Sequence, residues 1–366
     1  MEHFQGTKPV ASSHAFDVVA LQAHLSAYMP GFAGPLTVEQ FKGGQSNPTY
    51  KLLTPACAYV MRTKPGPAAK LLPSAHAVER EFRVMRGLAN TDVPLAKMHL
   101  LCEDEAVIGR AFYVMEFMDG RVLWDQSLPG LTPLQRSAIY DEMNRVMAAL
   151  HNVDVGAVGL SDYGKPGNYF DRQIGRWSRQ YLASITEPIN EMNQLIAWLP
   201  SHVPATAKET GGDGARVSVV HGDYRLDNLV FHRDEPRIIA VLDWELSTLG
   251  HPLADFSYHC MAWHIPPGTF RGIGGLDHAA LGIPSERDYV QRYCERTHRP
   301  DAQALMVDWN FYLAYNLFRL ASITQGIAKR VVDGTAASEQ ARATGASTRR
   351  LAEMAWGFAQ AHGACP

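Results

Sequence analysis

His221-Gly-Asp-Tyr-Arg-Leu-Asp-Asn228 follows the apolar run Val217-Ser-Val-Val220, and a second apolar run, Ile238-Ile-Ala-Val-Leu242, ends at Asp243. Two short strand-like runs therefore flank a loop that carries Asp223 and Asn228 five positions apart, with a second aspartate at the end of the later run. A carboxylate that can accept a proton, a carboxamide that can ligate metal without adding charge, and a further carboxylate at a strand end are the minimum apparatus for phosphoryl transfer from ATP. Taken singly, each has an ordinary explanation: a solvated loop, a turn aspartate or a hydrogen-bonded histidine. Their order and strand context carry the reading.

The chemistry explains the residue types. Moving a γ-phosphoryl group demands an acceptor hydroxyl held in line and a divalent metal to neutralise the phosphates. Mg²⁺ is hard and takes oxygen ligands, usually one or two carboxylates together with phosphates and water. Asp243 suits the bridging metal and Asn228 a second one, while Asp223 suits the position that takes the hydroxyl proton. The spacing matches the His-x-Asp-x-x-x-x-Asn of kinase catalytic loops. The reading requires these side chains to converge on one magnesium–triphosphate complex.

The N-terminal part supplies a nucleotide end. Leu36 to Arg62 reads as a β-meander, broken by the turn Gly43-Gly-Gln-Ser-Asn47. Gly44, Ser46 and Asn47 in that turn are candidates to bring backbone N–H groups to phosphate. Arg62 ends the third run, where a kinase normally carries lysine, and its planar guanidinium can do the same electrostatic work. Residues 75–89 read as a helix with Val78, Phe82, Met85 and Ala89 as its buried stripe. Glu81 beside that stripe is the candidate partner for Arg62, with Glu79 as its rival. Phe112-Tyr-Val-Met-Glu-Phe-Met118 reads as a strand leading to a hinge, where backbone groups at Glu116 and Met118 would face adenine.

Together these motifs resemble the aminoglycoside phosphotransferase and choline kinase-like superfamily, from about Leu36 to the C-terminal helices. His221-Gly-Asp223 with Asn228, Leu242-Asp-Trp-Glu245 and Gly250-His-Pro-Leu-Ala-Asp255 carry the resemblance. It implies Asp223 as catalytic base, Asn228 and Asp243 as metal ligands, Ser46 in the phosphate loop, and Asp255 as a structural carboxylate bracing the catalytic loop. Arg62 departs from the lysine of many members. Gly44-Gln-Ser-Asn-Pro-Thr49, Val60-Met-Arg62 with Pro65-Gly66, and residues 72–81 further resemble a bacterial branch similar to the kinase-like domain fused to acyl-CoA dehydrogenases in some animal proteins. That narrower resemblance implies a hydroxylated acyl acceptor, free or as its CoA thioester. The expected fold class is α+β: a bilobal protein-kinase-like fold with a small antiparallel β-sheet lobe and a mostly helical lobe. Residues 1–118 would form the nucleotide-binding lobe with a leading helix, and residues 119–366 the catalytic and acceptor-binding lobe.

Composition bounds the alternatives. The chain has 366 residues, enough for two lobes, and a formal charge of −3, which argues against a general nucleic-acid binder. Its five cysteines, at 57, 102, 260, 294 and 365, are scattered without a Cys-x-x-Cys, which fits free thiols in a reducing compartment. The first nine residues lack a signal-peptide pattern, and no run is long enough to span a bilayer, so a cytoplasmic, soluble protein is expected. The oligomeric state is not legible.

Several local readings follow. Asp17 to Met29 reads as an amphipathic helix with Val18, Leu21, Leu25 and Tyr28 on one face. Thr132-Pro-Leu-Gln135 is a helix start, and Ile139, Met143, Val146 and Leu150 form that helix's buried stripe. Residues 308–329 and 336–360 read as helices. Gly159 to Lys165 imitates a phosphate-binding loop, but Pro166 stands where a metal-holding hydroxyl belongs, and Gly272-Ile-Gly-Gly275 lacks the last glycine of a dinucleotide fingerprint. Arg172, Arg176 and Arg179 share a helical face, read first as solvated and second as an anion site. Trp263, His264, Tyr312, Tyr315 and Arg319 are candidates for an acceptor pocket or for the core. The favoured reading is an ATP- and Mg²⁺-dependent kinase acting on a small-molecule hydroxyl, preferably a hydroxyacyl or hydroxyacyl-CoA compound. The alternatives are a nucleotide-binding pseudokinase with a regulatory role and an aminoglycoside- or choline-type kinase. A protein kinase is opposed by the missing Gly-x-Gly-x-x-Gly and Asp-Phe-Gly.

Overall fold

A computed structural model describes residues 6–42, 47–65, 77–165, 167–208, 217–299, 302–336 and 338–362. The chain forms two compact units. The first comprises Met1–Trp124, Val158–Leu160 and Leu226–Ser247, and the second comprises Asp125–Ala157, Ser161–Arg225 and Thr248–Pro366. The sequence expectation drew a single boundary after residue 118; the first unit also takes in residues 119–124, 158–160 and 226–247.

The first unit is built on β1 (Thr7–Lys8), α1 (Val18–Tyr28), β2 (Thr37–Phe41), β3 (Thr49–Leu53), β4 (Ala58–Thr63), α2 (Val78–Leu88), β5 (Met98–Cys102) and β6 (Phe112–Glu116). The strands form one antiparallel sheet in the order β1-β2-β3-β4-β6-β5. Strand periodicity sorts β4 and β6 into two faces. Tyr59, Met61, Phe112 and Val114 join Leu21 and Leu25 of α1 in one core cluster. Arg62 and its register partner Tyr113 therefore point to the opposite face, the α2 side. Asp17 caps α1, accepting from the N–H groups of Val19 and Ala20 at 2.8 and 2.9 Å.

Two stripe readings are corrected. Leu21 and Leu25 are buried, but Val18 and Tyr28 are 36% and 66% exposed. They are the first and last residues of α1, and Met29 just beyond it is buried instead, while Tyr28 packs its ring on His24. In α2 the stripe ends at buried Leu88, and Ala89 is an exposed cap. Strand β6 also stops at Glu116, two residues before its expected end.

Beyond β6, β7 (Arg121–Val122) pairs with Leu229–Phe231, which pairs in turn with Ile238–Val241. Gly120 leads into β7 because a Cβ there would lie 2.2 Å from the Phe231 carbonyl oxygen.

The second unit is mostly helical: α3 (Pro133–His151), α4 (Tyr169–Ala183), α5 (Asn190–Trp198), α6 (Ala205–Lys208), α7 (Pro252–Cys260), α8 (His278–Leu281), α9 (Glu286–Arg296), α10 (Ala302–Val332), α11 (Glu339–Ala346) and α12 (Thr348–Ala361). Helix α3 starts with the expected capping box between Thr132 and Gln135, and all four residues of its expected stripe are buried. Buried through most of its middle, α10 packs against α4, α7, α11 and α12. The expected helix over 336–360 is two helices, interrupted at Ser347.

One two-stranded ribbon in this unit leads into the loop that carries Asp223. Ser218–Val220 pairs antiparallel with Thr248–Gly250. Gly250 lies so close to Tyr169 that a Cβ would sit 2.5 Å from its ring. The antiparallel register sets Val220, just before His221, against Thr248, and Ser218 against Gly250, beyond which α7 begins with Pro252 in its first turn.

Candidate active site

The sequence-predicted residues divide between the units. Asn47, Arg62, Glu81, Glu116, Met118, Asn228 and Asp243 belong to the first, and Asp223 to the second. Gly44 and Ser46 lie outside the described residues.

In the first unit, Arg62 is the centre of a carboxylate cluster. Its Nε lies 3.1 Å from Glu81 Oε2, so the pairing expected across β4 and α2 is present. Its Nη2 lies 2.8 Å from Asp243 Oδ1 and 3.1 Å from Glu245 Oε2. Burial alone would lower the guanidinium pKa, but Glu81, Tyr113, Asp243 and Glu245 carry it above its ordinary value. Glu81 is 1% exposed and is held by two further donors, Asn47 Nδ2 at 2.9 Å and Tyr113 Oη at 3.0 Å. Burial pushes its carboxyl up, against the pull of Arg62. The rival Glu79 pairs with Lys64 instead, at 3.0 Å. Asn47, expected at the phosphates, is fully buried with its carboxamide on Glu81.

Asp243 stands out in its backbone. It sits at φ 64°, ψ 61°, ahead of the short turn Trp244–Leu246. Aspartate is among the few non-glycine residues that enter this left-handed region readily, and here it joins Ile238–Val241 to that turn. Trp244 Nε1 donates to Val241 O at 2.9 Å and anchors the turn. Asn228 ends the turn Leu226–Asn228, and its carbonyl accepts from Leu242 N at 2.8 Å. That bond ties the Asn228 turn to the residue before Asp243. The carboxamide oxygen of Asn228 and the carboxylate of Asp243 are all-oxygen donors of the kind Mg²⁺ takes, with the remaining positions left to phosphates and water. Glu116 is exposed at the end of β6; its N–H donates to Lys97 O at 2.9 Å, and Met118 follows half-buried.

In the second unit, the loop of Asp223 is braced from below. Asp255, one turn into α7 and fully buried, accepts from His221 N at 2.6 Å and Gly222 N at 2.8 Å. The His151 ring reaches the same carboxylate, with Nε2 at 3.3 Å from Oδ2 and Nδ1 at 2.7 Å from Tyr293 Oη. Burial lowers the pKa of His151, so its neutral ring donates through Nε2 and accepts from the tyrosine. Burial alone would raise the carboxyl of Asp255, but the His151 hydrogen bond and the His221 N–H hold it below the usual carboxylate range. Asp223 N donates to His221 Nδ1 at 3.2 Å.

The Asp223 carboxylate is held by Tyr258 and Arg225 among its contacts. Tyr258 Oη donates to Oδ1 at 2.6 Å, and Arg225 Nε lies 3.2 Å from Oδ2. Buried Arg319 donates to Gly222 O at 2.6 Å and lies over the Tyr258 ring, 5.0 Å from its centroid. Sequence reasoning missed Tyr258 and Arg225. Tyr258 follows Asp255 by three positions on one helix, so both face the same loop.

The five candidates for an acceptor pocket or for the core have these surroundings. Trp263, Tyr312 and Tyr315 are core residues, His264 pairs with Glu286 at 2.9 Å, and Arg319 supports the loop. Of the arginine stripe on α4, Arg172 donates to Lys165 O at 2.7 Å, while Arg176 and Arg179 are exposed. Gly164 of the imitation phosphate loop is a packing glycine, since a Cβ would meet Thr248 Oγ1 at 2.5 Å. Cys57, Cys102, Cys260 and Cys294 are free thiols. Among the described residues, no helix is long and apolar enough to cross a membrane.

Comparison with known proteins places this architecture. Residues 37–299 match the profile described as "Phosphotransferase enzyme family". The chain is 44% identical to mouse acyl-CoA dehydrogenase family member 10 over 98% of its own length, but spans only 32% of that protein. A solved structure from Ralstonia eutropha, provisionally named an aminoglycoside phosphotransferase, is 62% identical with a TM-score of 0.86, covering 94% of this chain and 99% of that one. An aminoglycoside phosphotransferase solved with ADP and hygromycin B shares the fold at 15% identity and a TM-score of 0.58, covering 94% and 99% of the two chains. The α+β, kinase-like fold expected from the sequence is thus the fold of this chain.

Proposed function

The chain belongs to the phosphotransferase enzyme family, and from that premise we propose that it is an ATP- and Mg²⁺-dependent kinase that phosphorylates a hydroxyl group of a small molecule. The observation that carries this reading is the Asp223 carboxylate, held by Tyr258 and Arg225 on a loop braced by buried Asp255. Asp223 takes the proton of the acceptor hydroxyl as that oxygen bonds to the γ-phosphorus. The bond from the γ-phosphorus to the β-phosphate oxygen breaks, and ADP leaves. Asn228 and Asp243 would hold magnesium, which supplies charge neutralisation of the triphosphate when bound. Arg62, oriented by Glu81, supplies the cation that lysine provides in most kinases. Gly44, Ser46 and Asn47 are assigned to the phosphate loop, and the backbone at Glu116 and Met118 to adenine.

The favoured acceptor is a hydroxyacyl compound, free or as its CoA thioester. Its support is the likeness to a protein named for acyl-CoA dehydrogenase activity, of which this chain spans about a third. The test is Asp223→Asn, which keeps the shape of the loop but removes the base. ATP binding should persist, and acceptor-stimulated ADP release should fall by about 10²–10⁴-fold. Full turnover in that variant refutes the assignment. A second reading, nucleotide binding without transfer, draws on Arg62 pairing with Asp243, the assigned metal carboxylate. ATP-dependent thermal stabilisation with no ADP release over a broad panel of alcohols would favour it.

A further inference from the structure

Arg319 places a cation where a helix core ordinarily takes an apolar side chain. It lies in the buried middle of α10, between Phe318 and Leu320, and is itself only 7% exposed. Burying a charge is costly, and well-packed apolar residues of similar volume often replace such groups without loss of stability. Packing alone therefore does not call for an arginine here. Its contacts point to another reason. Nη2 donates to Gly222 O at 2.6 Å, on the residue before Asp223. The guanidinium also lies over two rings, 5.0 Å from the centroid of Tyr258 and 5.6 Å from that of Trp177, both within cation–π reach. Burial alone would lower the guanidinium pKa, but Tyr315, Tyr258, Tyr169 and the Asp223 carboxylate carry it above its ordinary value.

Two of these contacts converge on one side chain. Tyr258 Oη donates to Asp223 Oδ1 at 2.6 Å, so the ring beneath Arg319 is a ring that holds the carboxylate. The Gly222 carbonyl shares its planar peptide unit with the N–H of Asp223, and that N–H donates to His221 Nδ1 at 3.2 Å. A guanidinium on the Gly222 oxygen thus fixes the plane from which the Asp223 side chain departs, and Tyr258 fixes where its carboxylate ends. The helices that carry these groups are fastened together. Asn316, three positions before Arg319 on the same face of α10, donates through Nδ2 to Ala254 O at 2.9 Å and to Ser257 Oγ at 2.7 Å. Those bonds tie α10 to α7 at the residues just before Asp255 and Tyr258. One helix, α10, therefore sets the register of α7 through Asn316 and meets both the loop and Tyr258 through Arg319.

We propose that Arg319 is a positioning residue for phosphoryl transfer: through the Gly222 carbonyl and the Tyr258 ring it fixes the direction of the Asp223 carboxylate, and its loss is felt in turnover rather than in nucleotide binding. The inference rests on the reading of Asp223 as the base and names a residue, 96 positions away in the chain, on which that base depends. Tyr258 is the intermediary. Its hydroxyl gives the carboxylate a charge-assisted hydrogen bond, and a cation over its ring draws electron density from the phenol and strengthens that donation. A base held in this way waits in its reactive direction, whereas a displacement of about 1 Å costs roughly 10²-fold in rate.

The experiment is a double-mutant cycle on the full chain with two readouts. The first is ADP release with ATP, Mg²⁺ and a medium-chain hydroxy acid or its CoA thioester. Tyr258→Phe and Arg319→Met should each lower kcat by about 10–10²-fold with the KM for ATP unchanged, and Arg319→Lys should recover part of the loss. The double variant should fall no more than about threefold below the slower single variant, because both residues act on one carboxylate. Losses that multiply, an unchanged kcat in Tyr258→Phe, or a loss confined to the KM for ATP overturns the inference. If Arg319→Met does not fold, Arg319→Lys with Tyr258→Phe carries the same cycle. The second readout needs no turnover. In protein labelled with ¹³C at tyrosine Cζ, the Tyr258 resonance is the one missing from Tyr258→Phe. Asp223→Asn should shift that resonance, and the response should shrink in Arg319→Met and return partly in Arg319→Lys. No response to Asp223→Asn, or an equal response with and without Arg319, overturns the inference even where turnover falls. A wild type that releases no ADP but shows the Arg319-dependent response would defeat the kinase reading and sustain the hold of Arg319 on the carboxylate, so the two failures are distinguishable.

Discussion

Replacing Asp255 with asparagine removes one acceptor oxygen and the whole charge from a point where three donors meet. His221 N and His151 Nε2 approach Oδ2 at 2.6 and 3.3 Å, and Gly222 N approaches Oδ1 at 2.8 Å. All of this is buried, with Asp255 only 2% exposed. An asparagine of the same shape keeps one oxygen, so its NH₂ group must face at least one N–H donor. The buried N–H left unsatisfied costs about 1–3 kcal/mol, and losing the charge assistance on the remaining bonds costs roughly 1.5–3 kcal/mol. The expected destabilisation is about 3–5 kcal/mol, a large share of the ~5–15 kcal/mol that stabilises a folded protein. With a urea dependence of about 3 kcal/mol/M, the midpoint should fall by roughly 1–1.7 M at an unchanged slope. Tryptophan fluorescence or circular dichroism against urea measures it. A midpoint lowered by less than about 0.3 M at the same slope would mean that the three bonds do not hold the loop, and the bracing argument would be wrong.

Two further outcomes follow from the charge arrangement. Arg62→Met leaves Glu81 buried without its cation and should destabilise by about 3–5 kcal/mol, and adding Glu81→Gln should recover part of that loss in urea titrations. No recovery would show that Arg62 acts only through Asp243 and Glu245. Burial pushes His259 down to about 4, so the folded state refuses a proton that the unfolded chain accepts below about 6.5. Stability is then fully present above that pH and is lost as pH falls towards 4; between pH 7.5 and 5.5 the loss from this group is about 1.4 kcal/mol. His259→Gln should flatten the pH dependence of the urea midpoint by that amount, and an unchanged dependence would place the titration elsewhere.

What the sequence disclosed, and what it hid, divides along physical lines. Local chemistry was legible. Thr132 and Gln135 make their capping box because the signal lies within four residues. The Arg62–Glu81 pair could be anticipated because strand and helix periods independently set which way each side chain points. Glu79, two positions earlier, falls on another face and pairs with Lys64. Asp255 could be inferred only through the resemblance, since nothing local says that a helix will meet a loop 32 residues upstream. Hidden altogether was whatever depends on backbone strain or on position within a variable motif. Phe270 and Arg271 carry no compositional mark of positive φ, and Arg225 sits at a position that the His-x-Asp-x-x-x-x-Asn pattern leaves open. Tyr258, on an almost wholly buried helix, reads as core until its hydroxyl is seen on Asp223.

The two charged clusters show a common logic. Each would-be reactive carboxylate is held by an arginine: Asp243 by Arg62 in one unit, Asp223 by Arg225 in the other. On the proposed kinase reading, the nucleotide phosphate is the anion that would compete with Asp243 for Arg62. Side-chain exposure differs accordingly. Arg62 is 11% exposed and its neighbour Glu81 1%, whereas Arg225 is 24% exposed and borders an open cleft. A guanidinium anchored to a buried glutamate keeps its place when its other partners change, so Arg62 can exchange Asp243 for phosphate without leaving β4. On the proposed kinase reading, Arg62 would hold the nucleotide end, and Arg225 would position the carboxylate of Asp223. Arg225→Gln should therefore lower acceptor-stimulated ADP release while leaving the KM for ATP unchanged. A raised KM for ATP would place Arg225 with the phosphates and reduce the two clusters to one role.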